Sequence, residues 1–172
     1  MTDVITSDLS NIDFREIVQS LNELLRIRTT PIGMKLFARV KDMEVVERIR
    51  RPEAIHTTDQ IVGMAARNGW TVGITVDDLV GAQCKTVIGL SPRDEDWLSG
   101  DRMSGVWYAD DENASAHQQA MDVVPFGQYA AMAVSPLVSG RLNPPDICLI
   151  YATPAQMILF INGLQYTGYK KL

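Results

Sequence analysis

Two near-continuous apolar runs in the last third of the chain constrain its fold most strongly. They are QYAAMAVSPL at 128–137 and DICLIYA at 146–152, each of strand length and bounded by proline or glycine. Runs without polar alternation are typical of strands buried on both faces, so both are predicted at the centre of a sheet. The second run leads into ATPAQMILFINGLQ, which predicts a helix with Thr153 as N-cap, Pro154 at the first helical position and Gly163 near its exit.

Strand and helix patterns also alternate through the rest of the chain. Apolar residues at helical spacing, or acid-started alanine-rich segments, predict helices over 11–28, 40–51, 59–70 and 110–124. PIGMKLFA and WTVGITV alternate as strands do, and CKTVIGL is interpreted as a brief extended piece. These patterns predict an α/β fold: one layered domain over 11–172 with helices packed on a mixed central sheet, after a flexible segment 1–10.

Charge and cysteine content exclude several classes of protein. The net charge is −5 and no long basic run occurs, which argues against a nucleic-acid-binding surface. No apolar segment approaches the roughly 18 residues that span a bilayer, and the polar start MTDVITSDLS does not resemble a signal peptide. Two distant cysteines form neither a disulfide framework nor a zinc ribbon. A cytoplasmic protein without nucleic-acid or membrane partners is expected, and no motif identifies a metal or cofactor.

His56, Asp59 and Cys84 are the candidate catalytic residues. His56 is one of two histidines, the residue type that titrates near neutral pH, and it lies just before the 59–70 helix. Asp59 can contribute to the same site, or it can cap the helix together with Thr57 or Thr58. Cys84 can be a reactive thiol, or an inert buried one as most such cysteines are. Lys85 would point to the opposite face of a strand and so would not activate it.

Lys35, Thr153 and Gln156 are the candidate ligand-binding residues. A strand that runs into a Thr-Pro-started helix directs free backbone N–H groups beyond the strand end, which favours an anion there. Gln156 adds a side-chain donor, and Lys35 supplies a positive charge from an otherwise apolar strand. The alternatives are an ordinary strand–helix connection and a solvated lysine on an edge strand.

Several segments, in order, resemble the domain of unknown function 169 family, also labelled ArCR. They are LLRIRTTPIGMKL, AARNGWTVGIT, CKTVIGL, YAAMAVSPL and PPDICLIYATPAQMILFINGLQYTGY. The most specific block comprises Pro145, Asp146, Tyr151, Pro154, Ala155 and Gln156. The resemblance implies a cysteine near the start of the 59–70 helix and a second before a Gly-Leu pair. Only the second is present, as Cys84, so the departure argues against a two-thiol redox or cluster role.

The resemblance also implies a C-terminally shortened member, since the family continues past GLQYTGY into a further cysteine-containing region. Two functions are therefore kept open. The first is a small-molecule-binding protein, with a probably anionic organic ligand, that acts as an enzyme or enzyme subunit in a catabolic pathway. The second is a non-catalytic accessory subunit of a larger complex. Whether the chain is an enzyme stays open, and a homo-oligomer or a hetero-complex subunit is expected.

Overall fold

The computed structural model describes residues 12–166, which form an α/β fold around a mixed five-stranded sheet. The strands are β1 (Ile32–Phe37), β2 (Ile49–Arg50), β3 (Thr71–Thr75), β4 (Ala131–Pro136) and β5 (Ile147–Leu149). The helices in this range are α1 (Phe14–Leu25), α2 (Val40–Glu44), α3 (Thr58–Asn68), α4 (Ala82–Val87), α5 (Glu95–Ser99), α6 (Asp111–Ala120) and α7 (Pro154–Tyr166). The α/β class is confirmed, while the predicted flexible segment 1–10 lies outside the described residues.

The strand order is β2-β3-β4-β1-β5, with β2 parallel to β3 and every other neighbouring pair antiparallel. Thr75 pairs with Ala131, which in turn pairs with Phe37, so these residues mark one end of the sheet, called the upper end below. Ile32 pairs with both Pro136 and Leu149 at the lower end. Strand direction therefore decides at which end each following loop emerges.

Helix starts and stops follow the capping residues in the sequence. Asp13 caps α1, Thr57 caps α3 in a reciprocal capping box with Gln60, and Asp110 caps α6. Gly69 ends α3 in the left-handed conformation, with φ 69°. These termini agree with the predicted helices, because a side-chain oxygen at the N-cap and a glycine at the exit satisfy backbone groups that the helix leaves unpaired.

The core lies on both faces of the sheet, since successive strand residues point to opposite sides. The face covered by α3 is the larger, and its fully buried members include Ile32, Ile61, Ile74, Met132 and Val134. The other face is covered by α2, whose Met43 is fully buried beside Ala131, Ala133 and Leu142. All six residues of β4 are buried, which confirms the prediction of a central strand.

A short polar chain crosses the α2 face near the lower end. Arg141 Nη1 donates to Thr71 Oγ1 (3.0 Å), and the hydroxyls of Thr71, Ser135 and Ser139 follow one another at 2.8 Å. Because a guanidinium only donates, the Thr71 oxygen accepts from Arg141, and one hydrogen bond then joins the hydroxyls of Thr71 and Ser135 and another joins those of Ser135 and Ser139. Buried Thr71 and Ser135 are thereby both satisfied.

The prediction that 146–152 forms a central strand is wrong. β5 has only three residues, pairs with β1 alone and forms an edge, with Ile147 and Cys148 exposed. Cys148, predicted to be a core residue, is therefore at the surface, although partial burial still raises the pKa of its thiol.

Two other local predictions differ from the structure. The segment 40–51 is a five-residue helix, α2, followed by the short parallel strand β2. Cys84 lies in the helix α4 (Ala82–Val87), so the strand geometry assumed for Cys84 and Lys85 is wrong. The predicted helix after Thr153 is present as α7, with Gly163 three residues before its last residue, Tyr166.

Candidate functional site

His56 lies beyond the upper end of the sheet, next to the segment that follows β3. Its backbone N–H donates to Asp78 O (3.0 Å) and its carbonyl accepts from Val80 N–H (2.9 Å), so the residue is paired in parallel with Leu79. The side chain is half-buried, and none of residues 12–166 hydrogen-bonds its ring. The backbone of His56 is thus fixed, while its imidazole remains available.

Asp78 organises this end of the sheet. Its carboxylate accepts from Thr75 N–H (2.7 Å) and Thr75 Oγ1 (2.9 Å), and it forms a salt bridge with Arg51. Burial raises the pKa of the Asp78 carboxyl, but the hydrogen bonds from Thr75 and the charge of Arg51 outweigh burial and leave that pKa below its usual value. The same residue presents the backbone carbonyl that holds His56.

Asp78→Asn is expected to lower the free energy of unfolding at pH 7 by about 1–2 kcal/mol, because the amide keeps an acceptor for Thr75 but loses the charge paired with Arg51. A carboxyl whose pKa is lowered by folding stabilises the native state above its ordinary pKa of 3.8 and loses that contribution as the pH falls through the lowered value. The difference between wild type and variant should therefore shrink in this acid range. Urea unfolding from pH 7 to pH 3 measures it, and a pH-independent difference would contradict the assignment.

Asp59 lies in the first turn of α3 and takes part in its capping. Its Oδ2 accepts from Thr57 Oγ1 (3.3 Å), while Thr57 Oγ1 accepts from Gln60 N–H (3.3 Å). Asp59 also lines a shallow polar depression along α3 with Gln60, Gly63, Met64, Arg67 and Asn68. A single helix supplies all six residues, so the depression has no opposing wall.

Cys84 is half-buried in the middle of α4 and is a free thiol. Ile88 lies four residues further on and donates its N–H to the Cys84 carbonyl (3.3 Å), so the two side chains share one side of the helix. Lys85 is the neighbouring residue on the same short helix, where one position corresponds to a rotation of about 100°. The prediction that Lys85 points away from Cys84 assumed a strand. Both residues lie in the helix α4, so that argument does not apply.

Thr153 and Gln156 lie at the lower end of the sheet, where β5 leads into α7. Gln156 Oε1 accepts from Thr153 N–H (2.8 Å) and Thr153 Oγ1 (3.0 Å), which caps the start of the helix. Gln156 Nε2 donates to the carbonyls of Leu25 (2.8 Å) and Arg26 (3.0 Å). Both ends of the amide are engaged, so Gln156 ties α7 to the carboxyl end of α1.

Gln156→Glu is expected to destabilise the protein by about 1–3 kcal/mol at pH 7, because a carboxylate would face two carbonyl oxygens that now accept from the amide. The matched control is Gln60→Glu, since Gln60 has the same capping position in α3 and its Oε1 accepts from Thr57 N–H. A carboxylate suits that position, so the control should be neutral or slightly stabilising. Thermal unfolding compares the two; equal stability would show that the Gln156 amide is free for a ligand.

Lys35 belongs to β1, which lies between β4 and β5 and is not an edge strand. Its Nζ donates to the carbonyl of Pro144 (2.9 Å). It lies on the α2 face, because Met34 and Leu36 on either side pack on the α3 face. The edge-strand alternative for Lys35 is therefore wrong, and its ammonium is tied to the loop before β5.

The structure does not bring the six predicted residues into one site. His56 and the start of α4 follow the upper end of β3, whereas Thr153 follows the lower end of β5, which runs antiparallel to β1. The catalytic candidate His56 and the proposed anion site at the start of α7 therefore lie at opposite ends of the sheet. The individual catalytic and binding roles stay predictions.

A cavity of about 370 Å³ opens on the α3 face beside β5 and is called the sheet-face cavity here. Its floor comes from the sheet, its wall from α4, and its rim from the segment after α6 and the start of β5. The lining residues are Met34, Leu36, Val87, Ile88, Asp122, Val123, Val124, Met132, Asp146 and Ile147. Sequence reasoning assigned none of them a site role, although Asp146 stands in the quoted PD block. No sequence motif connects these residues, because they come from five separate segments of the chain.

A second concave surface, the α1–α7 groove, has a volume of about 600 Å³. It is lined by Ile12, Asp13, Glu16, Ile17, Ser20, Leu21, Leu24 and Leu25 from α1 and its start, and by Leu159, Phe160 and Gly163 from α7. Most of these residues are apolar, and the groove is bounded by two helices with no sheet beneath it. It resembles a docking surface for another helix more than a pocket for a small molecule.

Metal clusters and membrane-spanning helices are both absent from residues 12–166. No three His, Cys, Asp or Glu side chains in this range are grouped so that they could hold a metal ion. None of the helices in the same part of the chain combines the length and apolar character needed to cross a membrane.

Comparison with known proteins identifies the family of the chain. The chain has no match among curated proteins or solved structures. A family model, described as Uncharacterised ArCR and domain of unknown function 169, matches residues 20–172. The match includes every strand, all the residues that line the sheet-face cavity and the PD block that carries Asp146. The chain therefore belongs to the domain of unknown function 169 (ArCR) family.

Proposed function

We propose that the protein binds a small, largely apolar molecule in the sheet-face cavity, and that this molecule carries a positively charged or hydrogen-bond-donating group. The observation that carries the proposal is the cavity itself: about 370 Å³, with apolar side chains on its floor and wall and two carboxylates at its rim. Volume and lining match those of small-molecule sites, which are mostly apolar with a few placed polar groups.

The charged residues at the rim of the cavity determine which charge on a ligand is favoured. Asp122 and Asp146 are the only charged side chains among the lining residues. Asp146 is held in place, because its Oδ2 accepts from Leu36 N–H (2.7 Å) and its own N–H donates to Met34 O (2.9 Å). A fixed carboxylate beside apolar surface favours an ammonium or a similar donor and disfavours an anion.

The proposed ligand differs from the anionic ligand that the sequence analysis predicts. That expectation depended on Lys35 and on the start of α7. Lys35 donates to Pro144, and the Gln156 amide is engaged by Thr153, Leu25 and Arg26. Neither group lines the sheet-face cavity.

Catalytic roles for His56, Asp59 and Cys84 remain predictions beside this binding role. Cys84 has the strongest connection to the cavity, because α4 also contributes Val87 and Ile88 to its wall. We place the protein in the cytoplasm, a proposal supported by its two free thiols, Cys84 and Cys148, which are typical of a reducing compartment.

The alternative of a non-catalytic accessory subunit has its own supporting observation. Ile158, Leu159 and Ile161 of α7 are all exposed, beside the apolar α1–α7 groove. A helix that is apolar all round is normally covered by other protein. This observation concerns a different surface from the cavity, so both functions can belong to one protein.

A thermal-shift and calorimetric titration with benzylamine and phenylacetate tests the proposed ligand class. The two probes share an aromatic ring and differ in the sign of their charge. Benzylamine is expected to bind and to raise the melting temperature, because a ligand that binds only the native state stabilises it. Phenylacetate is expected neither to bind nor to change the melting temperature. Asp122→Asn/Asp146→Asn should weaken benzylamine binding about tenfold or more, since hydrogen bonds to charged groups contribute about 1.5–3 kcal/mol.

Asparagine at position 146 keeps an acceptor for Leu36 N–H, so the double variant should remain folded. Asp101→Asn is the matched control, because Asp101 is an exposed acid that does not line the cavity. It should leave benzylamine binding unchanged. Equal binding of phenylacetate, or benzylamine binding that survives the double substitution, would contradict the proposal.

A further inference from the structure

The α1–α7 groove leaves a large apolar surface open within the described part of the chain. Leu24 is 79% exposed, and on α7 Ile158 and Leu159 are 60% and 57% exposed. The segment PAQMILFINGLQY of α7 contains no charged residue on any side. Contiguous apolar patches of this kind mark interaction sites in soluble proteins. The groove is therefore a candidate interaction surface.

The charges along α1 indicate which occupant fits. Glu16 lies in the first turn and lines one end of the groove, while exposed Arg26 and Arg28 follow the last turn at the other end. None of these three residues forms a salt bridge with another residue of 12–166. Within residues 12–166, Glu16 and the C-cap residue Arg26 therefore form no salt bridge and lie on the order of 15 Å apart along the axis of α1, from a rise of 1.5 Å per residue.

We propose that a second copy of this chain covers the groove, related by a two-fold axis, with the two α1 helices antiparallel. In a two-fold interface the same patch meets itself, so Glu16 of each copy would lie opposite the arginines of the other copy, and both apolar faces would be buried together. A membrane surface fits less well, because an acidic residue lines the groove and the chain carries a net charge of −5. The inference is independent of the ligand proposed for the sheet-face cavity.

Sedimentation velocity and light scattering on the full chain at micromolar concentration test the interface. The wild type is expected at twice the 19.1 kDa mass of one chain. Leu24→Asp should give a folded monomer, because it places a charge at the centre of the buried patch. Val45→Asp is the matched control: Val45 is 82% exposed and lies away from α1 and α7, after α2, so this variant should remain a dimer.

Charge reversal tests the antiparallel arrangement separately from folding. Glu16→Arg should raise the dimer dissociation constant about tenfold, through two like-charge contacts per dimer. Adding Arg26→Glu and Arg28→Glu to the same chain should restore the wild-type constant, since each contact then has its signs exchanged. Circular dichroism confirms that each variant is folded.

Each of four outcomes would overturn the proposal: a wild-type monomer, a dimer that persists in Leu24→Asp, a triple variant that fails to restore association, or a monomer that cosediments with phosphatidylcholine vesicles. None of these outcomes depends on benzylamine. A failed dimer with intact benzylamine binding therefore refutes this inference and leaves the proposed function standing.

Discussion

Gly89→Ala is expected to lower the free energy of unfolding by about 2–5 kcal/mol. Gly89 follows α4 with φ 75°, a conformation that costs a residue with a Cβ about 1–2 kcal/mol. The added Cβ would also lie 2.8 Å from Val124 Cγ1, 2.8 Å from Val124 O and 3.1 Å from Pro125 O. Two of these atoms belong to the backbone and cannot rotate away, so overpacking adds about 1–3 kcal/mol. Urea unfolding at pH 7 measures the loss.

Gly69→Ala separates the two contributions to that loss. Gly69 ends α3 with φ 69°, but a Cβ at this position would meet nothing within 4 Å. Gly69→Ala should therefore lower the free energy of unfolding by only about 1–2 kcal/mol, which is the cost of the left-handed conformation for a residue with a Cβ. Equal losses in the two variants would show that 121–125 does not pack firmly against α4. Since Val124 also lines the sheet-face cavity, Gly89→Ala should weaken benzylamine binding, whereas Gly69→Ala should not.

Ile61→Ala should destabilise the protein by about 2–5 kcal/mol. Ile61 lies on α3 with no exposed surface, packed in the cluster that contains Ile74, Met132 and Val134. Truncating it removes apolar burial and leaves a cavity that surrounding side chains fill only in part. Chemical unfolding should show a lower midpoint with an unchanged slope, which identifies a loss of native stability.

The matched control for this substitution is Ile55→Ala, which removes the same atoms from a side chain that is 63% exposed. Its expected effect lies within about 0.5 kcal/mol. A small loss at Ile61, comparable to that at Ile55, would mean that α3 is not part of the cooperative core. In that case His56, which immediately precedes α3, would also lack the fixed position described above.

The elements that sequence predicts well are those with a strong periodic or capping signal. The alternation of 31–38 and 70–76 identifies β1 and β3, and the unbroken run before Pro136 identifies the buried β4. The run 146–152 misleads, because its composition is that of a central strand although β5 is a three-residue edge strand with Ile147 and Cys148 exposed. The strand β2 has two residues and too little sequence to form a pattern.

The candidate site was harder to predict, because it depends on strand direction. Sequence places Thr153 after a strand and His56 near another strand, but only the register shows that these strands end at opposite edges of the sheet. The sheet-face cavity combines Asp122 with Asp146, two acids 24 positions apart that no local motif connects. Sequence predicts Gln156 as a donor to a ligand, whereas in the structure its amide donates to the carbonyls of Leu25 and Arg26, which come from the other end of the chain.

The position of β4 between β1 and β3 has a consequence for synthesis of the chain. The ribosome makes β1 and β3 first, and neither has its principal neighbour until residues 131–136 have emerged. During that interval the nascent chain exposes an unpaired edge on each of β1 and β3, together with apolar side chains that include Met34 and Ile74. Pairing across so long a separation is slow, which leaves these edges open to aggregation until β4 inserts.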